Sequence, residues 1–241
     1  HYSGVSVWNN DRWKTISDLP EVLKTAYVTG FDGEPLYIQE DVYLNFLDPV
    51  MQEEFKRGIR EHVDIGTDGF VFDEVSGTAD AVMMGSGPFD NYSLLGFRNY
   101  LKSKYTASDL QQKGISDIDT FNYRDFLVNN GYRNQYSTGD YWSNPAPFRQ
   151  DYYNYLRDET NNKIDELIAY AKSYAQTKGK TLVFSANADP VTRTNLLKFY
   201  DTLDLYVFEQ EWWPKWRKDQ GSEFRSGVPD IPSMKYARSI G

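Results

Sequence analysis

Two acidic residues, Asp73 and Glu74, stand directly after an apolar segment of the chain, GFVF at residues 69–72. A short segment that is apolar on both faces predicts a buried strand. Successive side chains of a strand point to opposite faces, so one acid would face the mouth of a cleft and the other its wall. The alternative is that both acids cap the following loop. The functional interpretation is favoured, because a buried strand rarely ends in paired acids.

A second acidic cluster follows another apolar segment, LYVF at residues 205–208. It holds Glu209 and Glu211 beside Trp212 and Trp213. This combination suits a sugar subsite, because flat rings stack on sugars while carboxylates bind hydroxyl groups. A charged strand end without a function is the alternative. Two carboxylates from different strand ends are what glycosidic cleavage requires: one acid protonates the leaving oxygen, and the other attacks the sugar or activates water.

A third polar segment, SANADP at residues 185–190, follows the apolar residues 181–184. Its Asn187 is suited to bind a sugar hydroxyl or a carboxylate, although Asn and Asp before proline are also ordinary turn formers. Tyr206, in the strand that precedes Glu209, and Trp8, at the end of the first predicted strand, complete the predicted substrate-binding set.

Composition argues against several other chemistries. The 241 residues carry 26 Lys and Arg against 35 Asp and Glu, a net charge of −9, without the basic runs of a nucleic-acid groove. Cysteine is absent and there are two histidines, so we expect neither a thiol nucleophile, a Ser-His-Asp triad nor a His- or Cys-based metal site. No metal and no cofactor are predicted. Aromatic residues make up 16% of the chain, and composition alone leaves open whether they line a sugar cleft or fill the core.

The chain is also not expected to cross a membrane. Its longest apolar run, residues 167–171, is far shorter than the roughly 18 residues that a spanning helix needs. It begins with His1 rather than Met, from which we expect a processed or trimmed piece of a longer chain.

Helices and strands alternate in the pattern that would position these acids. Caps and apolar periodicity predict four helices that begin at about residues 48, 93, 120 and 148. Five strands are predicted at residues 4–8, 36–38, 69–72, 181–184 and 205–208, and residues 129–147 read as an ordered loop. Buried strands between helices are typical of parallel α/β folds, whose ligands bind beyond the carboxyl ends of the strands.

The segment around the first acidic pair resembles a known enzyme class. Residues 58–74, with the pattern G-x4-V-x2-G-x-D-G-F-x-F-D-E, are similar to the fourth-strand segment of (β/α)8 glycoside hydrolases, especially hypothetical glycosyl hydrolases related to family 42 β-galactosidases. The resemblance continues through residues 97–105, 114–127 and 185–187. It implies a (β/α)8 TIM-barrel fold and hydrolysis of glycosides.

Two resemblances assign different roles to the same positions. Family 42 enzymes have Asn-Glu where this chain has Asp73 and Glu74, which implies Glu74 as the acid/base. The chain resembles the family 66 dextranases more weakly. These enzymes have a nucleophilic Asp in a D-G-F-x-x-D motif, which residues 68–73 match. Their acid lies in a Y-x-E-x-W motif, which Glu209 or Glu211 matches loosely. All four acids therefore remain catalytic candidates.

We predict one catalytic barrel domain over residues 1–241 that cleaves O-glycosidic bonds of a poly- or oligosaccharide outside the cell or at its surface. The barrel would be trimmed or incomplete, because a full barrel has eight strands and about 250 residues, whereas five strands are predicted. The alternative is a carbohydrate-binding or scaffold barrel that hydrolyses nothing. Carbohydrate is the predicted partner, and the oligomeric state is left open.

Overall fold

The computed structural model describes residues 2–6, 13–38, 40–73, 77–137, 145–187 and 202–207, with the backbone alone at residues 2–6, 187, 206 and 207. Three short 3-10 helices occupy Ile16–Asp18, Glu21–Leu23 and Gly77–Ala79. The other elements are, in chain order, β1 (Tyr2–Ser6), β2 (Tyr37–Ile38), β3 (Asp41–Val42), α1 (Pro49–Asp64), β4 (Gly69–Asp73), α2 (Asp80–Met83), α3 (Asn91–Lys104), α4 (Ala107–Gln112), α5 (Tyr123–Asn129), α6 (Arg133–Ser137), α7 (Arg149–Thr177), β5 (Val183–Asn187) and β6 (Leu205–Val207).

Four strands form a parallel sheet in the order β1-β4-β5-β6. The chain visits these neighbouring strands in sequence order. Long connections join β1 to β4 and β4 to β5. Parallel pairing requires such connections, because a tight hairpin can join antiparallel strands but not parallel ones. Over the part of the chain that is described, this sheet does not close on itself, and the (β/α)8 barrel stays a prediction.

The helices α1 and α7 cover one face of this sheet. Phe70 and Phe72 of β4 are buried there, with ring centroids 5.9 and 6.3 Å from that of Phe184 on β5. From α1, the ring of His62 lies edge-on to Phe70, and from α7 the ammonium group of Lys172 lies 5.4 Å from the centre of the Phe184 ring. Burial of these rings helps to hold the helices on the sheet.

The predicted bounds of α1 are confirmed. The Asp48 carboxylate caps the helix by accepting a hydrogen bond from the Val50 N–H at 2.8 Å, and Pro49 occupies the first helical position, where no backbone donor is needed. The chain leaves the helix just before Gly66, which has a φ of +105°. The buried face of α1 includes three of its apolar residues, Met51, Ile59 and Val63.

Two other sequence predictions need correction. Residues 129–147 were expected to form a loop, yet they contain α6, because Tyr136 is fully buried against Phe31 and Phe89 and this packing outweighs the loop-like composition. The predicted strand at residues 36–38 becomes β2, which pairs antiparallel with β3 and lies outside the parallel sheet. The helices predicted near residues 93 and 148 form as α3 and α7.

A cluster of aromatic rings fills the core between α3, α5, α6 and the first half of α7. At its centre, the ring centroid of Phe97 lies 4.6 Å from that of Tyr152 and 5.1 Å from that of Tyr123. The hydroxyl groups of Tyr123 and Tyr136 each donate to a backbone carbonyl at 2.7 Å, which satisfies their polar ends. Of the two explanations that composition leaves open, core filling accounts for these rings.

Gly96 of α3 lies where Tyr155 of α7 packs against α3. A Cβ atom at this position would stand 1.8 Å from the hydroxyl oxygen of Tyr155 on α7, so the ring would have to move. We expect Gly96→Ala to lower the free energy of unfolding by about 1–3 kcal/mol, because overpacking outweighs the helix propensity of alanine, which is worth about 1 kcal/mol.

Urea-induced unfolding checks this expectation against Gly58→Ala as the matched control. Gly58 lies in the middle of α1, and apart from its chain neighbours and the nearby backbone of the helix no atom lies within 4 Å of an added Cβ, so alanine should stabilise the protein there. Equal effects of the two substitutions would contradict the close approach at Gly96.

Candidate active site

The carboxyl ends of four parallel strands bring the predicted site segments to one edge of the sheet. The last residues of β1, β4, β5 and β6 are Ser6, Asp73, Asn187 and Val207. The register pairs Ser6 with Asp73 and Asn187 with Val207, and the pairing of the residues just before them places Asp73 and Asn187 at the same level. Neighbouring strands lie about 4.8 Å apart, so the backbones of Asp73 and Asn187 are about 5 Å apart.

The side chain of Asp73 is half-buried at this edge. Side chains alternate along β4, so Val71 and Asp73 lie on the face opposite to the one where Phe70 and Phe72 meet α1 and α7. The carboxylate of Asp73 therefore lies on the face of the sheet opposite to these helices, at the strand ends where α/β proteins bind their ligands.

Asp73 is the one predicted catalytic residue whose side chain lies in the described part of the protein. For Asn187 and Tyr206 the backbone is described, and Tyr206 pairs with Ala186 in the register of β5 and β6. Their roles stay predictions. The remaining predicted site residues lie outside the described residues: Glu74, Glu209, Glu211, Trp8, Trp212 and Trp213.

Buried hydrogen bonds anchor the chain just beyond the acidic end of β4. The hydroxyl of Tyr43 donates to the carbonyl of Gly77 at 2.5 Å, and the hydroxyl of Thr78 donates to the side-chain oxygen of Asn45 at 3.0 Å. Gly77 has a φ of +51°, and a Cβ there would stand 2.9 Å from Thr160 on α7. A side chain at this position would be strained and would crowd Thr160, and these contacts hold the chain at Gly77 and Thr78 in place.

Asn45 connects three parts of the structure. Its amide nitrogen donates to the Asp90 carboxylate at 2.9 Å and to the Ser93 hydroxyl at 3.2 Å, while its oxygen accepts from the Leu47 N–H at 3.0 Å in addition to the Thr78 hydroxyl. Asp90 also caps α3, since it accepts from the Ser93 N–H at 2.9 Å. Asn45 thereby ties the loop before α1, the segment after β4 and the start of α3 together.

The sequence indicates the role of one residue of this hydrogen-bond network, Asp90. The D-x-x-S pattern at residues 90–93 is typical of a helix start, and it identifies Asp90 as a cap. An asparagine in a loop carries no such sign, because nothing in its neighbours distinguishes a buried Asn45 from an exposed turn residue.

Burial raises the pKa of the Asp90 carboxyl above its ordinary value, although hydrogen bonds from Ser93 and Asn45 oppose the shift. A carboxyl with a higher pKa in the folded than in the unfolded protein stabilises the fold fully below its unfolded pKa of about 3.9 and loses that contribution as the pH rises through the folded pKa. We therefore expect the stability of the unsubstituted protein, relative to Asp90→Asn, to decrease with rising pH across this window and then to level off.

The measurement is urea-induced unfolding of both proteins from about pH 3 to pH 7, because the difference between them cancels every other titrating group. A difference that stays constant, or that changes in favour of the unsubstituted protein as the pH rises, would contradict the raised pKa.

In the described ranges, no group of three or more His, Cys, Asp or Glu side chains is arranged to hold a metal ion. None of the helices in those ranges has both the length and the hydropathy for a membrane crossing.

The chain shares sequence with two much larger proteins. Over 88 residues it is 35% identical to an α-agarase from Thalassotalea agarivorans, a match that covers 36% of this chain and 6% of that protein. Over 160 residues it is 26% identical to an α-agarase from Alteromonas agarilytica, with 61% of this chain and 11% of that protein covered. The matches thus span about a tenth or less of the length of these relatives.

Agarases are glycoside hydrolases. The predicted resemblance to that class is therefore supported, while the narrower resemblances to families 42 and 66 stay predictions. No protein-family model matches the chain. Among solved structures, a β-galactosidase from the psychrophilic Marinomonas ef1 aligns with 81% of this chain and 29% of its own length, at 14% identity and a TM-score of 0.49.

Proposed function

We propose that this chain belongs to the catalytic barrel of a glycoside hydrolase that cleaves O-glycosidic bonds with two carboxylates. One observation carries the proposal: Asp73 ends a parallel strand inside the sheet, on the face opposite to α1 and α7. The sequence shared with two α-agarases supports the enzyme class.

The proposed fold is a (β/α)8 barrel in which the described sheet is part of the wall. Strands that are parallel, adjacent in sequence order and covered by helices on one face are the repeating unit of such a barrel. In a barrel the face away from the helices is the interior, and the carboxyl ends of the strands form the mouth. Asp73 would then stand at the mouth, where barrel enzymes carry their active sites.

The proposed partner acids are Glu209 and Glu211, which follow β6. Two strand spacings separate β6 from β4, so about 10 Å lies between their backbones, enough for a sugar to bind between converging acidic side chains. A gap of about 5–5.5 Å between the two carboxyl groups would give retention through a glycosyl-enzyme intermediate, and about 6.5–9.5 Å would leave room for an attacking water and give inversion. This chemistry requires no cofactor.

The proposed substrate is an agar polysaccharide, after the names of the two relatives. In this proposal Asn187 binds a hydroxyl group or orients a carboxylate. The sugar rings stack on four aromatic side chains, those of Trp8, Tyr206, Trp212 and Trp213. Because intact agar is a polymer that stays outside cells, the proposed site of action is extracellular or at the cell surface.

A polysaccharide panel that includes agar tests the proposal. We expect the chain to release new reducing ends from agar, and an Asp73→Asn, Glu74→Gln double variant prepared identically controls for contaminating hydrolases. Retention of the chain on a polysaccharide without release of reducing ends would overturn hydrolysis and support the carbohydrate-binding alternative.

A further inference from the structure

A groove of about 410 Å³ runs along the surface between α3 and α7. The α3 side presents residues three or four positions apart, which form one stripe of a helix, and the α7 side presents two residues four positions apart. Its floor and walls include Tyr92, Leu95, Gly96 and Asn99 from α3, and Tyr155 and Glu159 from α7.

The hydroxyl of Tyr155 on the floor of this groove makes no hydrogen bond with any described residue, although the side chain is 5% exposed. Four other buried tyrosines, Tyr43, Tyr123, Tyr136 and Tyr152, each donate to a backbone carbonyl. The Tyr155 oxygen is not among the fully buried polar atoms that lack a partner, so it reaches the groove and is available to a ligand. Gly96 makes that possible, because its missing side chain leaves the space that the hydroxyl occupies.

Glu159 lies one helical turn after Tyr155 and supplies acceptors on the same wall. Its half-buried carboxylate forms no ion pair within the described part of the chain. The groove thus offers the Tyr155 hydroxyl, which can donate and accept, the Glu159 carboxylate, which accepts, and the Asn99 amide. This set of groups matches a ligand with several hydroxyl groups.

Charge narrows the class of ligand. The residues that line the groove include no lysine or arginine, and Glu159 repels anions, so a sulfated or phosphorylated ligand is disfavoured. A cation is disfavoured as well, because the Tyr100 ring at the edge of the groove already has the Lys104 ammonium group 5.3 Å from its centre. A neutral ligand with many hydroxyl groups remains.

We propose that the groove between α3 and α7 is a second saccharide-binding site, separate from the edge of the sheet, that holds a neutral oligosaccharide segment. The choice of a saccharide rests on the proposed function. Tyr155 precedes Thr160 along α7, and Thr160 contacts Gly77 just beyond the carboxyl end of β4. The groove therefore lies towards the same end of the sheet as Asp73, where it can hold a polysaccharide that is being cleaved nearby.

Leu95 offers a reporter for the groove, since its side chain is 52% exposed on the wall. We would titrate a neutral agar-derived oligosaccharide into the methyl-labelled chain, in the Asp73→Asn, Glu74→Gln background so that no sugar is consumed. The Leu95 methyl signals, assigned from their loss in Leu95→Met, should shift and saturate. Tyr155→Phe should weaken this binding about fivefold and Glu159→Gln about tenfold, as expected for loss of a neutral and of a charged hydrogen bond.

The matched control is Tyr174→Phe, whose hydroxyl donates to Asp64 near the other end of α7. The proposal is overturned if the Leu95 signals do not move, or if Tyr155→Phe and Glu159→Gln bind as tightly as Tyr174→Phe. Reducing-end release by the unsubstituted chain is scored separately. Release without a shift at Leu95 would overturn the groove site alone, and a saturable shift without release would overturn the hydrolase alone.

Discussion

At least one of the variants Asp73→Asn and Glu74→Gln is expected to turn over a glycoside about 10²–10⁴-fold more slowly, because this factor is the usual contribution of a positioned acid or base. The amide that replaces the carboxyl can neither donate the proton to the leaving oxygen nor attack the sugar. The fold should be retained, because Asp73 is half-buried at the end of β4 rather than within the core.

The matched control is Asp68→Asn, at an exposed position immediately before the other end of β4. Initial rates of reducing-end release and urea-induced unfolding should be measured on all three variants. If Asp73→Asn and Glu74→Gln both keep rates close to that of Asp68→Asn, these acids do not perform the chemistry and the two-carboxylate mechanism fails.

Asn45→Ala is expected to be the most destabilising of the substitutions considered, at about 3 kcal/mol or more. It would remove one hydrogen bond from the Asp90 carboxylate, which keeps those from Ser93, and would leave the Thr78 hydroxyl and the Leu47 N–H without their partner. Each unsatisfied buried group costs about 1–3 kcal/mol. Turnover should fall as well, because the anchor at Thr78 holds the chain just beyond the proposed catalytic acids.

Asn122→Ala is the natural comparison, since it removes an asparagine that caps α5 through the Asp125 N–H at 3.1 Å and should cost about 1 kcal/mol. Equal losses of unfolding free energy in the two variants would mean that Asn45 acts as an ordinary loop residue. A destabilised Asn45→Ala that keeps full turnover at a temperature where it is folded would separate the network from the active site.

Local sequence signals predict the elements that carry the candidate site. The cap formed by Asp48 and Pro49 locates α1, and the apolar run before Asp73 locates β4, because caps and short buried strands are set by residues adjacent in sequence. The placement of Asp73 at a strand end follows from the same run. The α6 helix escapes prediction, since burial of Tyr136 by distant residues decides it.

Contacts between distant residues account for the rest. The fit of the Tyr155 hydroxyl over Gly96 and the bond from Asn45 to Asp90 join elements that are far apart in sequence. No periodicity or cap pattern encodes such pairs, because each residue alone is compatible with many surroundings. The groove between α3 and α7 is therefore visible in three dimensions and not in the sequence.

The length of α7 has a consequence for how the protein opens. This helix of 29 residues, about 43 Å long, contacts the sheet through Lys172 and Phe184 near one end and the aromatic core through Tyr152 and Phe97 near the other. Breaking the helix at any point would cost contacts on both sides. Slow hydrogen exchange should therefore extend across α7 as a single cooperative unit, and the sheet and the aromatic core should unfold together rather than in turn.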